Sequence, residues 1–275
     1  MTRLKYHLPD DFVFGVEMEF TDLKLNELLA ELPNHTKHFR DGIKTKEWID
    51  GDVADYKQWQ LTSDPSVTDI DDDGEDAGGE IISPVLDVCA ASWSEVRKMT
   101  KILTATGAYF GTDTGYHIHA DLNDVNRLIL MAIWFRMSAD IYAYLYHDRQ
   151  DSQFLRTLIP LNRTGREMTT AAQIIALLIN NDMRDILETK YLDLHMYEEN
   201  NISIAEFRVA GMTDDHDQIS GWTKAVLQMI NEAYTYRDLF DFIEQDRQYT
   251  FTAVNSRAPL KLQMKKAETA ALYLY

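Results

Sequence analysis

Apolar and polar positions alternate most plainly in FVFGVEMEF, where Phe12, Phe14, Val16, Met18 and Phe20 fall on one face of a strand and Gly15, Glu17 and Glu19 on the other. The same period of two pairs His117 with His119 in YHIHADL and Glu206 with Arg208 in AEFRVAG. Five successive apolar positions predict a buried strand over 12–20, so its acidic pair is better explained by a cavity than by a solvent-facing edge. Two carboxylates held this close repel, and divalent cations or cationic side chains are their natural compensators.

The rest of the chain reads as an alternation of helices and strands. LKLNELLAEL is a short helix ended by Pro33 and Asn34, and Trp48 to Leu61 forms two short strands leading into the TSDPSV turn, which brings Asp64 to the sheet edge. Residues 69–76, DIDDDGED, are a solvated acidic loop, since a run of like charges resists burial and the spacing lacks the terminal glutamate of a calcium loop. A strand in EIISPVL starts at Glu80 behind Gly78 and Gly79, where backbone can approach a ligand, and stops at Pro84. Ser92 with Glu95 forms a capping box for a helix ending at Gly107. Asn123 or Asp124 caps a long helix reaching His147, a further helix spans Thr169 to Asn180, and residues 188–211 make a two-stranded hairpin. Asp214 onward is helical to about Asp246. This order predicts an α+β fold, one domain over 1–275, with a mostly antiparallel sheet covered by helices on one side.

Composition narrows the function classes. The chain has 275 residues, 45% of them hydrophobic, enough for a sizeable core. A formal charge of −18 argues against a surface that grips nucleic acid, though not against a local basic pocket for nucleotide phosphates. Cys89 is the sole cysteine, which removes any intramolecular disulfide or thiolate cluster and fits a reducing compartment; it reads as a small buried residue. The N-terminus lacks a signal-peptide core and the apolar stretch near 128–146 is broken by Arg136 and Asp140, so a cytoplasmic protein with no membrane partner is expected.

Each candidate site residue has a plainer reading. His117 and His119 could be satisfied sheet histidines, or a zinc pair in a hydrolase, although His195 and His216 lie outside recognisable strand ends that would complete such a site. Glu206 and Arg208 could be a surface ion pair of little consequence.

Taken in order, the segments are more specific. GVEMEF at 15–20, GGEIISP at 78–84, TGYHIHADL at 114–122, KYLDLH at 190–195 and AEFRVAG at 205–211 resemble the carboxylate-amine ligase superfamily of glutamine synthetase and gamma-glutamylcysteine ligase, above all its amidoligase branch. The resemblance implies a curved antiparallel sheet of the glutamine synthetase catalytic type with helices on its outer face. It also implies ATP-dependent amide formation, in which a carboxylate is phosphorylated and an amine displaces phosphate. Two or three magnesium ions, for which manganese could substitute, would offset the triphosphate charge. On this resemblance Glu17 and Glu19 are ligands of different metals, with Glu80, His117 and Glu206 completing the shells. His119 contacts nucleotide phosphates or reacting groups, Arg208 stabilises the transferring phosphoryl group, and Lys190 is a further phosphate contact; Arg163 and Arg166 are weaker ones. Asp64 matches an aspartate that recurs before the GGE element and is assigned to the amine substrate, although an aspartate before proline is also a common turn former.

The expected partners are a small-molecule or peptide carboxylate and an amine. No segment matches the separate N-terminal domain of glutamine synthetase, so its ring assembly is not carried over and the oligomeric state stays open. A metal-dependent hydrolase using the histidine pair and a catalytically retired nucleotide-binding relative are the competing classes.

Overall fold

The structure, a computed structural model, describes residues 8–35, 39–45, 58–64, 66–67, 69–70, 76–122, 125–145, 193–199, 201–244, 249–254 and 261–266. In chain order its elements are β1 (Val13–Lys24), α1 (Leu25–His35), β2 (Phe39–Thr45), β3 (Trp59–Ser63), β4 (Asp69–Ile70), β5 (Asp76–Ile82) and β6 (Leu86–Asp87). They continue with α2 (Ala90–Ala105), β7 (Tyr116–Asp121), α3 (Arg127–Leu145), β8 (Leu194–Glu199), β9 (Ile202–Phe207), α4 (His216–Tyr234), α5 (Leu239–Glu244), β10 (Tyr249–Val254) and β11 (Lys261–Lys266).

Among the described residues the main sheet has 9 strands in the order β2-β3-β5-β1-β7-β9-β8, with β4 added beside β5 and β6 beside β1. Every pairing is antiparallel except β2 with β3. β1 is therefore an interior strand, flanked by β5 and β7, as its apolar run required. Phe14, Val16, Met18 and Phe20 are at most 2% exposed, and they meet helices rather than water. Phe14 packs on Trp93 of α2, and Thr100 of α2 approaches Met18. Trp134 of α3 lies edge-on to Phe207 of β9 and to Trp222 of α4. The phenol of buried Tyr116 and the Thr223 hydroxyl of α4 are 3.0 Å apart. Helices thus cover one face of the sheet, and the alternate side chains of the same strands are left to form the other.

Several local expectations change. α2 begins at Ala90 behind Cys89, and Ser92 is buried within its first turn, so the Ser92–Glu95 capping box does not form. Cys89 is exposed rather than buried. α3 is capped by Asn126, whose Oδ1 accepts from the N–H groups of Leu128 and Ile129, in place of Asn123 or Asp124. α1 continues past Pro33 to His35. The segment from Asp214 divides into α4, capped by Asp215, and the short α5. The acidic stretch 69–76 is not wholly loop, since its ends pair as β4 and β5, and β10 and β11 form a hairpin that was not anticipated. The helix expected over 169–180 lies outside the described residues. No helix among the described residues is long and apolar enough to cross a membrane.

The glycine pair before Glu80 is required by packing. Gly78 has φ +87°, and a Cβ there would lie 2.5 Å from the Val67 carbonyl oxygen; at Gly79 it would lie 2.5 Å from that of Thr62. β5 can sit flush against these neighbouring segments only because both side chains are missing.

Candidate functional site

Antiparallel register carries the polar face across the sheet, because directly opposed residues point the same way. One row runs Thr62–Glu80–Glu19, the next Gln60–Ile82–Glu17–His117, and a third Gly15–His119–Glu206–His195. Arg208 follows directly after β9, its N–H bonded to the Asp193 carbonyl, which continues the alternation that brings its side chain beside Glu206. Five strands spread over more than 180 residues of sequence so deliver their ionisable groups to one surface.

The carboxylates fall into two groups, within each of which the ligand atoms lie within 4.8 Å of one another: Glu17, His117 and Glu206, and Glu19, Asp64 and Glu80. Glu17 and Glu19, neighbours on one strand face, are thereby divided between the two groups. In the first, His117 Nδ1 is 3.1 Å from Glu17 and 3.5 Å from Glu206, and His119 Nε2 is 3.2 Å from Glu17. His195 Nδ1 lies 3.1 Å from Glu206, and the Arg208 guanidinium donates to the other oxygen of Glu206. In the second, Glu19 accepts from the Gly115 N–H, while Asp64 Oδ1 accepts from Ser66 N–H at 2.7 Å. Asp64 is both a turn former and a member of the acidic group.

Burial and charge act in opposite directions here. Burial penalises the charged form of Glu17, but His119 and His117 outweigh it and hold the carboxyl well below its ordinary range. Burial likewise opposes ionisation of Glu206, yet a hydrogen bond from His195 and the Arg208 charge bring it down to about 2. His119 would lose its proton through burial alone; Glu17 and Glu206 raise it to about 9. For Arg208 the acidic neighbours Glu206, Glu19 and Glu17 likewise prevail over desolvation and raise its pKa.

The donor set suits a hard divalent cation. Five carboxyl groups share the site, Glu19 and Glu80 are each 2% exposed, and oxygen ligands at this density fit magnesium or manganese. His117 Nε2 is buried, makes no hydrogen bond, and lies 3.4 Å from Glu19, between the two groups. Such an atom is placed to ligate or to donate once a cation arranges its neighbours.

Of the residues singled out in the sequence, the structure brings together Glu17, Glu19, Asp64, Glu80, His117, His119, Glu206 and Arg208. Lys190, Arg163 and Arg166 lie outside the described residues. His195, set aside in the sequence, belongs to the site. Tyr197, two residues along β8, stacks on His195 with ring centroids 4.8 Å apart, and its hydroxyl is 3.1 Å from His119 Nδ1. The alternation in LHMY, with Leu194 and Met196 buried opposite His195 and Tyr197, carries the same signal as the other three pairs. Thr62 and Gln60 had no such signal, because β3 is buried on both faces.

β1, an interior strand bearing paired carboxylates, thus has histidines on its neighbour β7 and an arginine just past β9, one strand further on, a set of groups that would suit metal-assisted chemistry. The family described as "Putative amidoligase enzyme" matches residues 10–176, and the chain belongs to this family. The matched stretch holds Glu17, Glu19, Asp64, Glu80, His117 and His119, while His195, Glu206 and Arg208 lie beyond it. No curated protein matches the chain.

Proposed function

We propose that this protein is an ATP- and magnesium-dependent carboxylate-amine ligase, built on a sheet of the glutamine synthetase type. The observation that carries this reading is the pair of adjacent acidic groups on one sheet face with a buried guanidinium beside them. Membership of the amidoligase family supports it independently. In a ligation of this class a substrate carboxylate oxygen bonds to the terminal phosphorus of ATP as ADP leaves. The amine nitrogen then bonds to the acyl carbon, phosphate departs, and the nitrogen gives up a proton.

The chain's own residues divide this work. Glu17, His117 and Glu206 would hold one cation and Glu19 with Glu80 another. When bound, the ions supply positive charge against the triphosphate. Arg208, held in orientation by Glu206, presents a planar fork of donors suited to the charge that develops on the transferring phosphoryl group. His119, fixed between Glu17 and Tyr197, contacts phosphate or the reacting groups; Lys190 is assigned a phosphate contact from the resemblance alone. Asp64, beside Glu19 and Glu80, receives the ammonium of the amine substrate, since opposite charge stabilises it there.

The test is release of ADP and phosphate against pooled small-molecule and peptide carboxylates and amines, with mass spectrometry of the product. Release should require ATP, magnesium and both substrates, and Arg208→Lys should lower it by roughly 100-fold, since a point charge replaces the fork. Full turnover in that variant would remove the phosphoryl role. In thermal-shift measurements ATP and magnesium should stabilise the protein only jointly; stabilisation by zinc alone, with cleavage that needs no ATP, would favour the hydrolase class instead.

A further inference from the structure

Gln60 has a role that neither the two acidic groups nor Arg208 supplies. It lies on β3, in the cross-strand row with Ile82 and Glu17, and therefore on the polar face of the sheet. Its side chain is 1% exposed, and neither its amide oxygen nor its amide nitrogen has a hydrogen-bond partner. A buried carboxamide with every hydrogen bond unmade is costly, and folded proteins rarely retain one without use. Two residues along the strand, Thr62 opposes Glu80, which makes Gln60 a diagonal neighbour of Glu80 at a Cα spacing of about 7–8 Å. Gln60 thus lies on the same sheet face as the acidic set of Glu19, Asp64 and Glu80, diagonally beside it.

We propose that Gln60 recognises an amide group, either a carboxamide or a peptide bond, carried by one of the two substrates next to its reacting end. This rests on the ligase reading above and names a substrate class for it. The chemistry selects the class. Gln60 offers donors and an acceptor in one plane. A ligand carboxylate would satisfy only the nitrogen. An ammonium would satisfy only the oxygen. A neutral amide satisfies both atoms at once, in the two-bond pairing that glutamine makes with groups of the same donor-acceptor pattern, and Ile82 beside it gives an apolar wall for the attached carbon chain.

The experiment compares the full chain with Gln60→Leu and Gln60→Glu, by thermal shift and calorimetry, without nucleotide. The probes are L-glutamine against L-glutamate, L-asparagine against L-aspartate, and N-acetylglycine methylamide as a bare peptide unit. The wild-type protein should bind the amide member of each pair at least 10-fold more tightly than the acid, and should bind the methylamide. Gln60→Leu should melt at the same temperature or higher, because an unsatisfied polar group has gone, and should lose the preference. Gln60→Glu, which keeps an acceptor but removes the donors, should lose it too. The proposal is overturned if no amide probe binds the wild-type protein, if the Leu variant keeps the preference, or if the Leu variant melts well below wild type, which would mark Gln60 as a structural residue. Because no readout uses ATP, a protein that binds amides through Gln60 yet releases no ADP would leave amide recognition by Gln60 standing and remove the ligase reading.

Discussion

The two faces of the sheet are made by the same strands and obey opposite rules. On the helix side, Val16, Met18, Phe20, Ile118 and Phe207 are each at most 1% exposed and gain stability from every contact they make. On the other side Glu19 and Glu80 are buried nearly as deeply, at 2% exposure each, but burial and mutual repulsion both count against them. One face holds the fold together and the other draws on that stability to keep charges where unaided chemistry would not place them. Substitution should therefore separate stability from function according to the face it touches.

The largest effect is expected on the apolar face. Phe207→Ala removes the ring that Trp134 packs against and should cost about 3–5 kcal/mol in chemical denaturation, while activity per folded molecule changes little. A cost below about 1 kcal/mol would show that the helices do not depend on this face. Glu19→Gln tests the opposite face, since it keeps an acceptor for the Gly115 N–H and removes one charge from the acidic set. Its melting temperature without metal should stay level or rise, whereas magnesium-dependent ADP release should fall by at least about 100-fold. A loss of stability with activity retained would reverse the comparison.

Between the faces lies the backbone. Gly79→Ala places a methyl group 2.5 Å from the Thr62 carbonyl oxygen; displacing β3 from β5 should cost about 1–3 kcal/mol and shift Glu80 with it, lowering both melting temperature and metal affinity. The smallest effect is on the pH profile of the metal-free protein. His119, raised from 6.5 to about 9, contributes its full stabilisation below pH 6.5 and loses it as pH rises through 9. Glu206, lowered from 4.5 to about 2, contributes fully above pH 4.5 and loses it as pH falls through 2. The melting temperature of EDTA-treated protein should accordingly be highest between pH 4.5 and 6.5; a steady climb from pH 6.5 to 9 would contradict the pairing of His119 with Glu17 and Glu206.

The sequence alone was enough to identify the α+β class, the interior strand with its acidic pair, and the residues of three strand pairs, because period-two alternation is a local property of an extended backbone. It was also enough to point to the amidoligase family, whose match spans residues 10–176. It misplaced helix starts, since Ser92 and Asn123 have cap chemistry but only the tertiary position of the preceding turn decides which N–H groups need an acceptor. His195, Tyr197 and Gln60 came to the polar face only through register: His195 opposes Glu206, Tyr197 reaches His119 on β7, and Gln60 falls in the row of Ile82 and Glu17. The division of five carboxylates into two groups was likewise a tertiary decision. Glu17 and Glu19 sit two residues apart in sequence, and it is β7 with β9 on one side and β5 on the other that draw them toward different partners.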